Sequence, residues 1–358
     1  MTTVASFQID CLRFIGPDGK PVADLPAFAD DREAMVSLYR WMVLTRTFDN
    51  RAIALQRTGR MGTYASSAGQ EAVAVGVAGA MAPDDVLLPS FREHGAQLVR
   101  GVTMKELFLY WGGDERGSDF AGPRLDFPVC IPVGSHAPHA AGVALAFKLR
   151  GEKRAAVGVF GDGATSKGDV YEAMNLAGAW MLPVVFVVSN NQWAISVPRS
   201  AQTAAQTLAQ KAVAAGFEGL QVDGNDIVAV RQAMGVALEK AYAGGGPTLI
   251  EALTYRLGDH TTVDDAGRYR DDEEVGRYWK EEPIARTRAF LTAAHTWTRE
   301  EEEALIAECG RLVEASAEEY LAVEPQQPGG VFDWLYDELP TAYARQRAEM
   351  LAEEQDRS

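Results

Sequence analysis

Cysteine is scarce in this chain of 358 residues: Cys11, Cys130 and Cys309 stand far apart, with no metal-spaced pair and no framework for disulfides. That scarcity suits a reducing, cytoplasmic setting. Basic residues are in the minority, 34 against 50 acidic, and the net charge of −16 argues against nucleic acid or an anionic membrane as a partner. No apolar run approaches the roughly 20 residues of a membrane span. The amino terminus shows no basic region followed by an apolar core, so no secretory signal is expected. Repeats and low-complexity tracts are missing as well.

Apolar residues are plentiful. With 47% hydrophobic content, the chain can bury a large core, as one big domain or one plus an appendage. The most informative stretch runs from Val157 to Ser196. An apolar run, Ala155 to Phe160, ends in Gly161-Asp162-Gly163. An amphipathic segment, Asp169 to Trp180, follows, and a second apolar run, Val184 to Val188, ends in Ser189-Asn190-Asn191. This predicts strand, turn, helix, strand, with polar residues gathered at the carboxyl ends of both strands. That edge is where open parallel sheets bind ligands. Gly161 and Gly163 leave the turn free of side chains, so a phosphate can approach the backbone, and the helix amino end beyond favours an anion. Asp162 beside a phosphate makes electrostatic sense only with a cation between them. Asn191 can offer an amide oxygen to the same ion. Asp162, Asn191, one backbone carbonyl, two diphosphate oxygens and a water would fill the shell of about six oxygens that Mg²⁺ takes. Taken alone, Gly161-Asp162-Gly163 is equally a tight turn in any α/β protein. The Asn190-Asn191 pair beyond a helix and a strand is what singles it out.

The rest of the chain continues the alternation. Residues 1–30 read as an irregular arm with a turn at Pro17-Asp18-Gly19. A long helix is predicted from Asp31 to Thr58, with Met35, Leu38, Met42, Phe48, Ala52 and Leu55 on one stripe and Gly59 to end it. Gly62 to Glu71 is a small, polar turn leading into an Ala/Val/Gly helix to Met81, whose neighbours must approach closely. Val86 to Pro89 is a short strand ending in Ser90-Phe91-Arg92-Glu93-His94. Residues 112–134 form a long Gly- and Pro-rich loop, of the kind that tends to carry function, and Ser135 to Leu149 a helix. His136 and His139 make a poor metal pair, with Pro138 between them in the first turn and no third ligand nearby in sequence. Thr203 to Ala215 and Ile227 to Ala243 are predicted helices; Leu220 to Val222 and Thr248 to Tyr255 are predicted strands. The sum is an α/β fold, doubly wound around a mostly parallel sheet. A polar loop, Arg256 to Arg270, follows the last strand and carries His260; a solvent-exposed loop histidine is the plain alternative there. The carboxyl third is helical and charged, with a capping box at Thr298 and Glu301 and a further helix from Thr341. The expected division is an arm at 1–30, the α/β domain at 31–280 and a helical extension at 281–358.

Gly161-Asp162-Gly163 with Asn190-Asn191 beyond it resembles the diphosphate-binding motif of thiamine-diphosphate enzymes. Phe91-Arg92 is similar to a Tyr-Arg pair, and Arg256-Leu257-Gly258-Asp259-His260-Thr261 to a Tyr-Arg-x-Gly-x-His-Ser/Thr loop, of one branch of them. Asp264-Asp265 and Tyr269-Arg270 match it too. From Phe7 to Arg345 the chain resembles the alpha chain of the heteromeric decarboxylase component of 2-oxo acid dehydrogenase complexes, most of all bacterial pyruvate dehydrogenase alpha chains.

The resemblance implies the thiamine-diphosphate-binding fold, with thiamine diphosphate and Mg²⁺ as cofactors. It implies that Asp162, Asn191 and the backbone carbonyl of Trp193 hold the metal. Cofactor contacts would come from Phe91, Arg92, Gly161, Asp162, Gly163, Ala164, Asn191, Trp193, Ala194, Ile195 and His260, with Ile131 and Val133 lining the thiazolium. His260 would be the catalytic residue, on the diphosphate and assisting acyl transfer to a lipoyl sulfur, as a histidine titrating near neutrality can. Phe91 stands where the family usually has Tyr, which removes a hydroxyl, and Thr261 occupies the place phosphorylated in mitochondrial relatives. The implied partners are a beta chain in a two-alpha, two-beta tetramer, a lipoyl-bearing acyltransferase component and a small 2-oxo acid. Gly59 to Ala65, Ile131-Pro132-Val133 and Leu208 to Gly216 look like pyruvate enzymes. Asn191 to Ser196 also occurs in branched-chain enzymes, and an acetoin-cleaving relative is a further alternative. A self-sufficient thiamine enzyme would need a far longer chain, and a nucleotide-binding module would carry G-x-G-x-x-G and no Asn-Asn. Neither fits.

Overall fold

The computed structural model describes residues 1–333 and 335–355. Its elements, in chain order, are β1 (Cys11–Leu12), α1 (Arg32–Arg57), α2 (Glu71–Ala78), β2 (Val86–Leu88), α3 (His94–Arg100), α4 (Met104–Trp111) and α5 (His136–Arg150). Then come β3 (Ala156–Gly161), α6 (Gly168–Ala179), β4 (Val184–Asn190), β5 (Trp193–Ala194), β6 (Val197–Pro198), α7 (Arg199–Gln202) and α8 (Lys211–Ala214). The chain ends with β7 (Glu218–Asp223), α9 (Ile227–Tyr242), β8 (Thr248–Leu253), α10 (Asp272–Trp279), α11 (Pro283–His295), α12 (Arg299–Leu321) and α13 (Thr341–Gln355).

Six strands form one sheet in the order β1-β7-β8-β4-β3-β2, every neighbouring pair parallel. The alternation of side chains shows why these apolar runs become strands. Ala156, Phe160, Val184, Phe186 and Val188 enter a cluster with Ala140, Val170 and Met174 of α5 and α6. Val157, Val159, Val185 and Val187 point the other way, to Val73, Val77, Ala233 and Met234 of α2 and α9. Both faces are covered, so the strands are apolar throughout. Each fully buried Val or Phe contributes about 1.5–3 kcal/mol, which roots the central strands firmly. The small residues of α2 have the expected reason: a Cβ on Gly76 would lie 2.7 Å from Val230 of α9.

Beyond α2 lies a helical layer, where α1 packs with α4, α11 and α12 around Met35, Met42, Phe48, Phe108 and Phe290. Asp31 caps α1 by accepting from Glu33 and Ala34 amides, and Thr298 with Glu301 forms the expected capping box of α12. The sheet tapers, from seven residues in β4 and six in β3, β7 and β8 to three in β2 and two in β1. Among the described residues no helix is long and apolar enough to cross a membrane.

Two local expectations change. The arm contributes β1, paired with β7 and tied down because the Phe14 and Ile15 amides donate to Asp226 at 2.7 and 2.8 Å. Of the helix expected over Thr203–Ala215 only α8, Lys211–Ala214, forms; an irregular stretch separates it from α7, which ends at Gln202. There the amides of Leu208 and Ala209 donate to the buried Glu251 carboxylate of β8, at 2.7 and 3.0 Å, instead of to a helical ladder.

Candidate functional site

A cleft enclosing about 770 Å³, part of it open to solvent, lies at the carboxyl ends of β3 and β4. It is lined by Phe91, Arg92, Val133, Gly161, Asp162, Gly163, Ala164, Asn191, Trp193, Ala194, Ile195 and His260. Segments far apart in sequence thus converge as expected, with one exception. Ile131 is half-exposed and stays out of the lining, while Val133 enters it. Gln70, Ser90, Glu93, Gly134, Phe160 and Ser189 also face the cleft, and sequence reasoning had singled out none of them.

β3 stops at Gly161, and the chain turns tightly through Asp162–Ser166 before α6. Asp162 is buried, accepts from the Gln202 amide at 2.7 Å, and has no cationic partner within ion-pair distance among the described residues. Burial pushes its carboxyl pKa up, and the Gln202 bond opposes that. Gly163 is needed for closeness, since a Cβ there would come 2.7 Å from the Ala194 Cβ. Asn191, at the end of β4, donates to the Gln70 side-chain oxygen at 3.2 Å and accepts from the Trp193 amide at 3.2 Å. Ser189 donates to the same Gln70 oxygen at 3.0 Å, which fixes the amide and leaves its nitrogen buried without a partner. Trp193 and Ala194 pair with Val197 and Pro198 in a small ribbon flanked by left-handed Gln192 (φ 72) and Ile195 (φ 55). Strained residues of this kind persist where surroundings hold them; here Arg256 donates to the Ile195 carbonyl at 2.9 Å.

Arg92, in the same lining, is buried with no carboxylate on its guanidinium among the described residues, and burial with the nearby Arg256 pushes its pKa down to about 10. It donates to the Ser66 carbonyl and, at 2.7 and 3.0 Å, to the carbonyl and Nδ1 of His260. Ser66 is held in turn by Asp49, which accepts from Ser66, Tyr64 and the Ser67 amide at 2.6, 2.9 and 2.7 Å. A guanidinium only donates, so His260 Nδ1 must accept and the neutral ring carries its proton on Nε2. The expectation of a near-neutral titration changes here. Burial first, then Arg92 and Arg256, push the His260 pKa down to about 4. Phe91 packs edge-on against the His260 ring at 6.1 Å, so its missing hydroxyl leaves a purely apolar contact. Burial raises the Glu93 carboxyl to about 7.

His136 and His139 do not converge. His136 bonds the Val159 carbonyl at 2.7 Å inside the core, while His139 stacks on Phe127. Among the described residues no three His, Cys, Asp or Glu side chains gather as a metal group. The donor set at the cleft is instead one carboxylate, one amide oxygen and backbone carbonyls, which suits a hard cation whose shell an oxyanion completes. Among the described residues a buried carboxylate and a buried guanidinium, neither in an ion pair, face the same cleft, which fits a bound cation and anion together.

The fold and cleft define an α/β protein with a polar-lined cleft at the carboxyl edge of a parallel sheet. The family model of the dehydrogenase E1 component matches residues 39–328, and the chain belongs to that family, which is thiamine-diphosphate-dependent. It is 40% identical to the 3-methyl-2-oxobutanoate dehydrogenase subunit alpha of Mycobacterium tuberculosis, over 97% of this chain and 95% of that one. It is 39% identical to the pyruvate dehydrogenase E1 component subunit alpha of Staphylococcus epidermidis, over 95% and 92%, and 41% to that of Staphylococcus aureus, over 88% and 85%. These likenesses make it an alpha chain of a 2-oxo acid dehydrogenase.

Proposed function

We propose that this alpha chain binds thiamine diphosphate with Mg²⁺, decarboxylates pyruvate and passes the acetyl group to a lipoyl group of the acyltransferase component. It does so as one of the two alpha chains of a two-alpha, two-beta tetramer. The observation that carries the cofactor reading is the pair of unmatched buried charges, Asp162 and Arg92, on one cleft. Asp162, the Asn191 amide oxygen and the Trp193 carbonyl would hold the metal, and Arg92 with the His260 Nε2–H would face the diphosphate. Val133, Ile195 and Phe91 keep water from the apolar wall. When bound, the cofactor supplies the electron sink for decarboxylation. His260, held neutral by burial together with Arg92 and Arg256, contributes a donor at Nε2 whose direction is already set. The beta chain completes the site, because the described residues form one such sheet.

A second reading has its own support: the Mycobacterium tuberculosis relative, named for a branched-chain 2-oxo acid, is as similar as the pyruvate enzymes. The test is an assay of the co-purified alpha–beta complex on pyruvate, on branched 2-oxo acids and on acetoin. Pyruvate is expected to show the highest kcat/KM, and a higher value on 3-methyl-2-oxobutanoate would move the assignment to the second reading. The purified alpha chain alone is expected to decarboxylate nothing, with activity returning on addition of the beta chain; robust activity without it would disprove the split site.

A further inference from the structure

Behind the Asp162–Ser166 turn sits a lysine that the cofactor contacts leave without a task. Lys211 of α8 is buried, and its ammonium donates to the Thr165 carbonyl at 2.7 Å and hydroxyl at 3.0 Å, above the Tyr171 ring at 5.2 Å. Among the described residues it has no carboxylate within ion-pair distance. Thr165 in turn donates to the Asp162 carbonyl at 2.8 Å, so Lys211 grips the turn from the side away from the cleft. The strap that carries it is fixed independently, by the bonds from Leu208 and Ala209 to Glu251. Its forward end reaches the same turn, where Gln202 donates to Asp162.

A buried ammonium without a counter-ion costs stability, and a methionine would fill the same space without that cost. Burial and the neighbouring Arg199 disfavour the charged form, with Glu251 opposing them. The uncompensated charge lies directly behind the segment that presents Asp162 and Gly163 to the cleft. We propose that Lys211 is a positioning residue for a diphosphate: it holds the Asp162–Ser166 turn through Thr165 and supplies positive charge that, with no ion-pair partner of its own, an entering anion balances. The inference rests on the cofactor reading above.

The test uses the full-length chain assembled with its beta chain, titrated calorimetrically with thiamine diphosphate at saturating Mg²⁺, alongside thermal melting of the cofactor-free complex. Lys211→Met is expected to weaken binding about tenfold while the cofactor-free complex melts at the same temperature or higher. Lys211→Gln, which keeps a donor for Thr165 but no charge, should fall between Lys211→Met and the parent. Parent-like affinity in Lys211→Met overturns the proposal. So does a loss of affinity accompanied by a lower cofactor-free melting temperature, the mark of a merely structural role. Should Lys211→Met fail to assemble, Lys211→Gln decides, and parent-like affinity in it overturns the role of the charge. Asp162→Ala separates the two levels of argument. A parent complex that binds no better than Asp162→Ala defeats the cofactor reading together with this one, whereas a difference there with none at Lys211 defeats this one alone.

Discussion

Glu251 and Asp162 are both buried carboxylates of the same sheet, and they are wired in opposite ways. Glu251, inside β8, accepts from Asn190 at 2.7 Å, Leu208 at 2.7 Å, Ala209 at 3.0 Å and Gln221 at 2.9 Å, all neutral donors. Asp162, just past the end of β3, has a single side-chain donor, Gln202, at 2.7 Å. A buried charge with its lone pairs filled is part of the framework, and it holds β4, β7 and the strap together. One left mostly unfilled at a cleft waits for something from outside the chain. The difference is one of position: interior strand residues meet fixed neighbours, whereas strand ends meet whatever the loops leave open.

Substitution is the harshest way to break that comparison. Asp162→Ala should lose thiamine diphosphate and Mg²⁺ binding almost completely in the assembled complex, because it removes the only full negative charge this chain offers the metal. Glu251→Ala should leave four donors buried and unmet and cost on the order of 3 kcal/mol of folding stability by chemical denaturation. Unchanged cofactor affinity in Asp162→Ala would end the metal assignment, and an undiminished denaturation midpoint in Glu251→Ala would end the framework one.

The next largest effect belongs to His260. A pre-oriented donor aimed at developing charge is typically worth about 10²–10³-fold, so removing the Nε2–H in His260→Ala should cut acylation of the lipoyl domain roughly 100-fold. Decarboxylation followed with an artificial electron acceptor should suffer less, and cofactor binding only modestly. Equal loss in both assays would leave His260 a binding role alone. Asn191→Ala, which removes a neutral oxygen, should weaken cofactor binding by less than Asp162→Ala does; calorimetry that ranks them the other way round contradicts the donor assignment.

The smallest effect sharpens the comparison through a third buried carboxyl, Glu93, whose nearest donor is the Arg92 amide at 3.2 Å. Its folded pKa is raised from the usual carboxylate range to about 7. A raised pKa means stability present below the unfolded value and lost as pH rises through the folded one. Glu93→Gln should therefore gain on the parent between pH 5 and 8, by roughly 2–3 kcal/mol at the upper end, and a constant gap across that range would contradict it.

The order of elements and the cleft's central residues were legible in sequence for a local reason. Strands buried on both faces read as unbroken apolar runs, and the residues that line the cleft stand at the ends of those runs, where polarity changes abruptly. Val157 to Ser196 contains all of this within one unit. What escaped depends on partners distant in sequence. Gln70 looks like one more polar residue in a turn until Ser189 and Asn191 arrive from β4. Gln202 and Lys211 sit in a stretch whose alanines and leucine favour a helix, and Glu251 pulls that helix apart. Ile131 was carried over by motif alone, and the loop turns it outward while admitting Val133. The titration of His260 could not be read from spacing either, because it depends first on burial and then on the Arg92 guanidinium, which arrives from a distant segment.

The taper of the sheet bears on how the protein can be built into something larger. Its outermost strands, β1 and β2, offer two and three residues each, too short a rail for another chain to add a strand. Growth by sheet extension, and the fibrous aggregation that follows from it, is thereby closed off at both borders. A subunit that joins this chain therefore finds helices and loops to pack against, not a sheet edge to extend.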